Sequence, residues 1–362
     1  MALSPAGLSA QQSVTQNAYY SLVYLALATI AYTDSAKTAI AKVGTDLPAA
    51  VTGLPALPQT ADSQQTVAGS WQMVWGPAVD ADNSNLLYVC HYVDAEGSPV
   101  FAAVVARGTD IYAGGLGLAQ QLFQDLGDAI QVSWANALAH DCLIPSLTTE
   151  AKIAQGTCSA LATVTKLTAV MAGQQESMDI AACLATYLSA HPGTPVVVTG
   201  HSLGGALTTV LAPYLAAKVP GATIVPQAFA PPTAGNGLFA STVFDAGFAN
   251  PGIWINTLDM VPCAYGDVNG ILLLWAHQNP AGAPCPGWLA TIIKGLGWAV
   301  PPFAQPAKGV TELPGAVKTG TLSWVDQLEY QHFPPVYHTQ ISALPGTAPY
   351  PLPHVDTGHA TT

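Results

Sequence analysis

The sequence predicts an α/β protein: a mostly parallel central sheet with helices on both faces. Three observations predict it. Strand-length apolar runs alternate with helix-length stretches through the second half of the chain, the pattern of parallel strands joined by crossover helices. One run, "VVVTGHSLGGALTTVLAP" (196–213), passes from three valines through a glycine-rich corner straight into helix-forming sequence. The chain is half hydrophobic over 362 residues and only 8% charged, so it can bury a large core.

Residues 1–70 read as an N-terminal helical extension. "AYYSLVYLALATI" (18–30) has the length of a buried core helix rather than a membrane span. "LPAAVTGLPALPQ" (47–59) reads as a Pro-punctuated linker. No basic residue precedes Lys37, so the charged start of a secretory signal is missing. Residues 71–345 read as the core of a single domain. "NLLYVCHYVD" (85–94) and "GSPVFAAVVARGTD" (97–110) form a hairpin pattern around the turn "DAEGSP". From Glu150 to Ala190 the apolar spacing is helical, through Ile153, Leu161, Val164, Leu167, Val170, Ile180 and Leu184, and "HPGTP" ends it. "ATIVPQAFAPP" (222–232) and "GIWINTLDMVP" (252–262) read as two further short strands. Residues 263–322 are Gly/Pro-rich with one helical patch, "WLATIIKGLGW", and residues 346–362 form a Pro-rich tail. There is no internal repeat.

The net charge is −12, and Arg107 is the single arginine among nine basic residues. A surface that tracks phosphates needs clustered Lys and Arg, so nucleic-acid binding is excluded. High hydrophobicity with low charge is also the opposite of a disorder signature. Six cysteines fit no close-spaced metal pattern, and neither a metal nor a cofactor is called for. Cys158 and Cys183 lie in helical sequence and read as buried thiols. Cys263 and Cys285 bracket a Gly/Pro-rich excursion and are the candidate disulfide, whose loop closure would contribute about 3 kcal/mol and point to an oxidising compartment.

The chemistry centres on Gly200-His201-Ser202-Leu203-Gly204, a G-x-S-x-G pattern at a strand-to-helix junction. A serine on such a corner stands clear of the sheet, and flanking glycines remove the Cβ atoms that would collide there. The amides at the start of the following helix face the site and suit a developing negative charge. Leu203 supplies one such amide. The strand "FAAVVA" followed by Arg107-Gly108-Thr109 offers the second donor at Thr109. His201, beside the serine on a tight turn, reads as a packing residue under the corner. On a sheet of this kind the acid and then the histidine follow the serine. Asp259 stands at the C-terminal end of a strand, where sites of open α/β sheets gather, whereas Asp245 reads as solvated surface. The base is His332 or His338, both in the aromatic-rich "LEYQHFPPVYHTQIS". Pro334 and Pro335 force the backbone after His332 out of helix, which would leave that histidine on a loop leaning toward Ser202.

These residues resemble the class 3 lipases, an α/β-hydrolase family of triacylglycerol lipases and phospholipase A1-type enzymes. The resemblance covers about residues 85–345. It rests on "VVARGT", "HPGTPVVVTGHSLGGALTTVLAPYL", "FAPPTAGNGLFA" and "INTLDMVP" in the family's order. It implies that Ser202 is the nucleophile, Asp259 the acid, and Thr109 with Leu203 the oxyanion hole. It implies a lid at about residues 110–141, whose apolar piece carries Leu116, Leu118, Leu122, Phe123 and Leu126. The family's catalytic histidine tends to precede a tyrosine by a few residues, a relation kept by His332 and Tyr337. The activity implied is hydrolysis of carboxylic esters of lipids through an acyl-enzyme, with transient contact with a lipid–water interface and with secretion. The stretches before the lid's apolar piece and between Asp259 and His332 are longer than the family's, and the first seventy residues carry no family motif. An esterase for small soluble or aryl esters and a catalytically silent lipid-binding relative are the alternatives.

Overall fold

The computed structural model describes residues 19–59, 66–108, 130–146, 148–264, 266–272, 274–275, 285, 287, 290–291, 293–294, 303–318 and 323–358. Its frame is a seven-stranded sheet of β1 (Gly69–Val79), β2 (Leu86–Asp94), β3 (Pro99–Ala106), β8 (Val196–His201), β9 (Ile224–Phe229), β10 (Gly252–Asn256) and β11 (Val310–Leu313), in that spatial order. The strands between β3 and β8 in sequence lie outside this sheet, as two small ribbons: β4 (Gln131–Ser133) with β5 (Lys152–Ala154), and β6 (Ala169–Val170) with β7 (Ser177–Met178). β1, β2 and β3 are antiparallel, and β3 onward is parallel.

Both faces of the sheet are covered, and strict alternation along β3 shows how. Ala102, Val104 and Ala106 enter one core, while Phe101, Ala103 and Val105 enter the other. The period-two geometry of a strand sends successive side chains to opposite faces, so a strand buried twice over reads as a continuous apolar run. One face is packed by α4 (Gln155–Val164), α5 (Ile180–Ala190) and α6 (Leu203–Lys218). The other is packed by α1 (Ser21–Ile30), α2 (Ile40–Thr52) and α8 (Pro334–Ser342). α1 is buried at every position, as its apolar sequence requires.

Several elements differ from the sequence reading. The supposed linker begins inside α2, which runs to Thr52 with Pro48 in its interior. Val43, Leu47 and Val51, four residues apart, bury one stripe of that helix and outweigh the proline. β1 escaped notice because Gly76 and Pro77 interrupt it where its register shifts. The helical stretch from Glu150 to Ala190 is instead β5, α4, the β6–β7 ribbon and α5. β11 lies in the Gly/Pro-rich stretch, at the edge of the sheet. The C-terminal residues are docked rather than trailing: Tyr350 is buried with its hydroxyl on Pro55 O (2.8 Å), and the Asp34 N–H donates to Asp356 O (2.7 Å).

The disulfide also falls elsewhere. Cys142 is bonded to Cys158, tying the chain after α3 (Trp134–Leu138) to α4, whereas Cys263 and Cys285 form no disulfide. Helical sequence around Cys158 disguised it as a buried thiol. Because 16 residues separate the pair, replacing both with serine is expected to lower unfolding free energy by about 3 kcal/mol. Denaturant titration checks this; an unchanged midpoint would mean that the crosslink constrains nothing the fold does not already fix.

Candidate active site

Four chain segments meet where the parallel strands end. Ser202 closes the corner between β8 and α6 at φ 62°, ψ −129°, a conformation that L side chains rarely adopt and that costs about 1–3 kcal/mol. The surroundings hold it there: Ser202 N–H donates to Phe229 O at 3.0 Å, and Ser202 O accepts from Ala206 N–H at 3.1 Å. The close approach explains the glycines. A Cβ on Gly200 would fall 2.3 Å from Gly204 O, and one on Gly204 would fall 2.3 Å from Ala106 O.

Ser202 Oγ lies 2.8 Å from His332 Nε2, and His332 Nδ1 lies 2.8 Å from Asp259 Oδ2. All three side chains are buried. The carboxylate sets the tautomer. Oδ2 accepts from Nδ1–H, which leaves Nε2 to accept from the serine hydroxyl. Asp259 has two further donors, Tyr337 O–H on Oδ2 (2.8 Å) and Val261 N–H on Oδ1 (2.9 Å). Burial, and secondarily the neighbouring Asp259, hold the Tyr337 phenol well above its ordinary pKa, so it stays protonated and donates. Its oxygen in turn accepts from Asn256 N–H at 3.1 Å.

His332 is the last residue of α7 (Trp324–His332), not a loop residue. The prolines break the helix directly after His332, as expected, but His332 stays inside it. Phe333 is extended at φ −70°, ψ 142°, and α8 restarts on Pro334, because a residue before proline is pushed out of the helical region. The break aims His332 at the corner and places Tyr337, one turn into α8, against the same carboxylate. Asn256, at the end of β10, anchors α7 by donating from Nδ2 to Gln331 O (2.8 Å) and to Gln331 Oε1 (2.9 Å). His338 points elsewhere, with Nε2 at 2.8 Å from Tyr350 O.

His201 lies under the corner. Its Nε2 sits 2.8 Å from His332 O, so that nitrogen carries the proton and donates. Burial, then the nearby His332, depress its pKa well below the ordinary value and keep the ring neutral. Tyr32, just beyond α1, donates its hydroxyl to His201 O at 3.2 Å. The N-terminal extension is thus part of the site's floor, a role that no motif in the first seventy residues signalled. Tyr337 appeared in the sequence only as a marker of His332, and Asn256 had no signal beyond its place at a strand end.

Leu203 is the first residue of α6, directly after Ser202. Thr109 and residues 110–129 of the expected lid, with its five apolar residues, lie outside the described residues. Within the rest of that span, 131–138 is a β-strand followed by the short helix α3. Gly108 presses on the corner so closely that a Cβ there would lie 2.9 Å from Leu203 N. Arg107 beside it is buried, with Nη2 donating to Asn83 Oδ1 at 2.7 Å and to Asn83 O. Among the described residues no cluster of His, Cys, Asp and Glu is placed to hold a metal ion, and no helix is long and apolar enough to cross a membrane.

Residues 104–268 match the family described as lipase (class 3). No curated protein matches the chain. Among solved structures, the M37 lipase superposes with a TM-score of 0.64 at 22% identity, covering 88% of this chain and 93% of that one. That likeness establishes a common α/β-hydrolase fold. A triacylglycerol lipase from Penicillium expansum aligns at 20% identity with a TM-score of 0.36, covering 68% of this chain and 74% of its own. The segment 104–268, which holds the serine corner and the acid strand, is thus the part of the chain that is similar to the class 3 lipases.

Proposed function

We propose that this chain hydrolyses carboxylic esters of lipids with Ser202 as nucleophile, His332 as general base and Asp259 as the acid that orients it. One observation carries the reading: Ser202, His332 and Asp259 are joined by two 2.8 Å hydrogen bonds, with the serine at a strained positive φ. His332 Nε2 takes the Ser202 proton as Oγ attacks the ester carbonyl, and then gives it to the departing alkoxide. Water, deprotonated by the same nitrogen, releases the acid and restores the serine. Asp259 holds Nδ1–H and stabilises the imidazolium. The amide of Leu203, with Thr109, holds the tetrahedral oxyanion; supporting this is the close approach of Gly108, the residue before Thr109, where an added Cβ would lie 2.9 Å from Leu203 N.

A series of p-nitrophenyl esters beside a triacylglycerol emulsion tests the substrate class. Rising kcat/KM with acyl length and turnover of the emulsion are expected. Turnover of short soluble esters alone would make the protein an esterase, and no turnover of any ester would make it a silent relative.

Tyr337 adds a finer expectation. Tyr337→Phe keeps the packed ring but removes one donor from Asp259, so a loss of about 1 kcal/mol should lower kcat roughly fivefold with KM unchanged. Steady-state kinetics checks this; equal kcat in the two proteins would mean that the hydroxyl only fills space.

A further inference from the structure

A helix that stops at a pair of prolines leaves its last carbonyls without partners, and α7 stops there with His332 as its final residue. In a continuing helix the carbonyl of Gln331 would accept from the residue four positions on. That residue is Pro335, with Pro334 before it, and neither has an N–H to give. The N–H that His332 O would take, on Val336, turns instead to Phe333 O at 3.0 Å. Both residues are fully buried. Side chains from the sheet fill both places: Asn256 Nδ2 donates to Gln331 O and His201 Nε2 to His332 O, each at 2.8 Å.

Asn256, the last residue of β10, holds the acid as well. Its Oδ1 accepts from Leu258 N–H at 3.1 Å and its carbonyl from Asp259 N–H at 2.9 Å, so the turn carrying the carboxylate closes on this one residue. Its N–H donates to the oxygen of Tyr337 at 3.1 Å, and that phenol donates to Asp259 Oδ2. The other Nδ2 hydrogen goes to Gln331 Oε1 at 2.9 Å. Gln331 is fixed in turn, with Nε2 donating to Ala316 O at 2.8 Å. Every polar group of Asn256 is thus committed either to the turn of Asp259 and its tyrosine or to the residue before His332. An aspartate of the same shape has no donors for the helix end.

We propose that Asn256 is a positioning residue that fixes Asp259 and His332 relative to each other, so that its loss lowers turnover through His332 alone. The proposal rests on the Ser202–His332–Asp259 reading above. Without the two Nδ2 bonds, the last turn of α7 must shift to find a partner for a buried carbonyl, and the base shifts with it. A displacement of about 1 Å in such a group can cost on the order of 10²-fold in rate. Asn256 is itself buried behind the pair, so substrate binding is left as it was.

The test uses two variants of the full chain. Asn256→Asp keeps the acceptor for Leu258 N–H and removes both donors, and Gln331→Met removes only the side-chain acceptor. On a soluble short-chain ester Asn256→Asp should lower kcat about 30-fold and Gln331→Met about fivefold, both with KM unchanged. Fluorophosphonate labelling of Ser202 should slow in the same proportion. In a His332→Ala background either substitution should change the labelling rate by less than about twofold, because a residue acting through His332 has nothing left to aim. A further marked slowing in that background would mean that the substitution loosens the serine corner or the whole fold, and it overturns the proposal. So does parent kcat in Asn256→Asp, or a loss confined to KM. Should Asn256→Asp fail to fold, Gln331→Met decides by the same readouts. If His332→Ala alone labels at the parent rate, the triad reading falls and this proposal with it. Slow labelling of His332→Ala beside parent-like Asn256→Asp sinks this proposal alone.

Discussion

Ser202→Ala is expected to lower kcat for ester hydrolysis by about 10⁶, leaving only what the oxyanion donors and binding supply. The fold should survive. Among the described residues the removed hydroxyl bonds only to His332 Nε2, while the strained corner is held by backbone bonds to Phe229 and Ala206 that alanine keeps. Circular dichroism and the melting temperature should therefore match the parent. A variant retaining a tenth of the activity would remove Ser202 from the chemistry, whatever its geometry.

The second large effect separates two histidines six residues apart. His332→Ala should also cost about 10⁶, because serine and base act as a unit and losing either disables both. His338→Ala should keep most of the activity, since among the described residues its ring bonds to Tyr350 O and not to Ser202 or Asp259. Both variants are assayed on one soluble short-chain ester, so that interfacial binding does not enter. A dead His338 variant beside an active His332 variant would transfer the base and break the proposed relay to Asp259.

The contrast between the two histidines also marks where sequence reasoning ran out. The prolines after His332 signalled a break in the helix, but a break can as well end one helix as open a loop. Only the capped helix from Ser323 to His332 decides between them. The serine corner was legible because its residue types are forced: backbone atoms of β3 and α6 leave no room for a Cβ at Gly200 or Gly204. The hairpin and the parallel strands were legible because buried strands read as β-branched runs. β1 was not, since Gly76 and Pro77 break its pattern at a register shift. The Cys142–Cys158 pairing and the footing of Tyr32 under His201 depend on segments brought together by the fold. Nothing in local spacing encodes such meetings. α2 was legible in principle, through Val43, Leu47 and Val51, but Pro48 drew attention from that stripe.

The relay from Asp259 through His332 to Ser202 is the central claim, and covalent labelling tests it most directly. The protein is treated with a fluorophosphonate and digested, and the adduct is mapped by mass spectrometry. The account predicts one stoichiometric adduct on Ser202, formed rapidly in the parent and at least about 10²-fold more slowly in His332→Ala, which lacks the group that takes the serine proton. An adduct on another serine, or equal labelling rates in the two proteins, would contradict it.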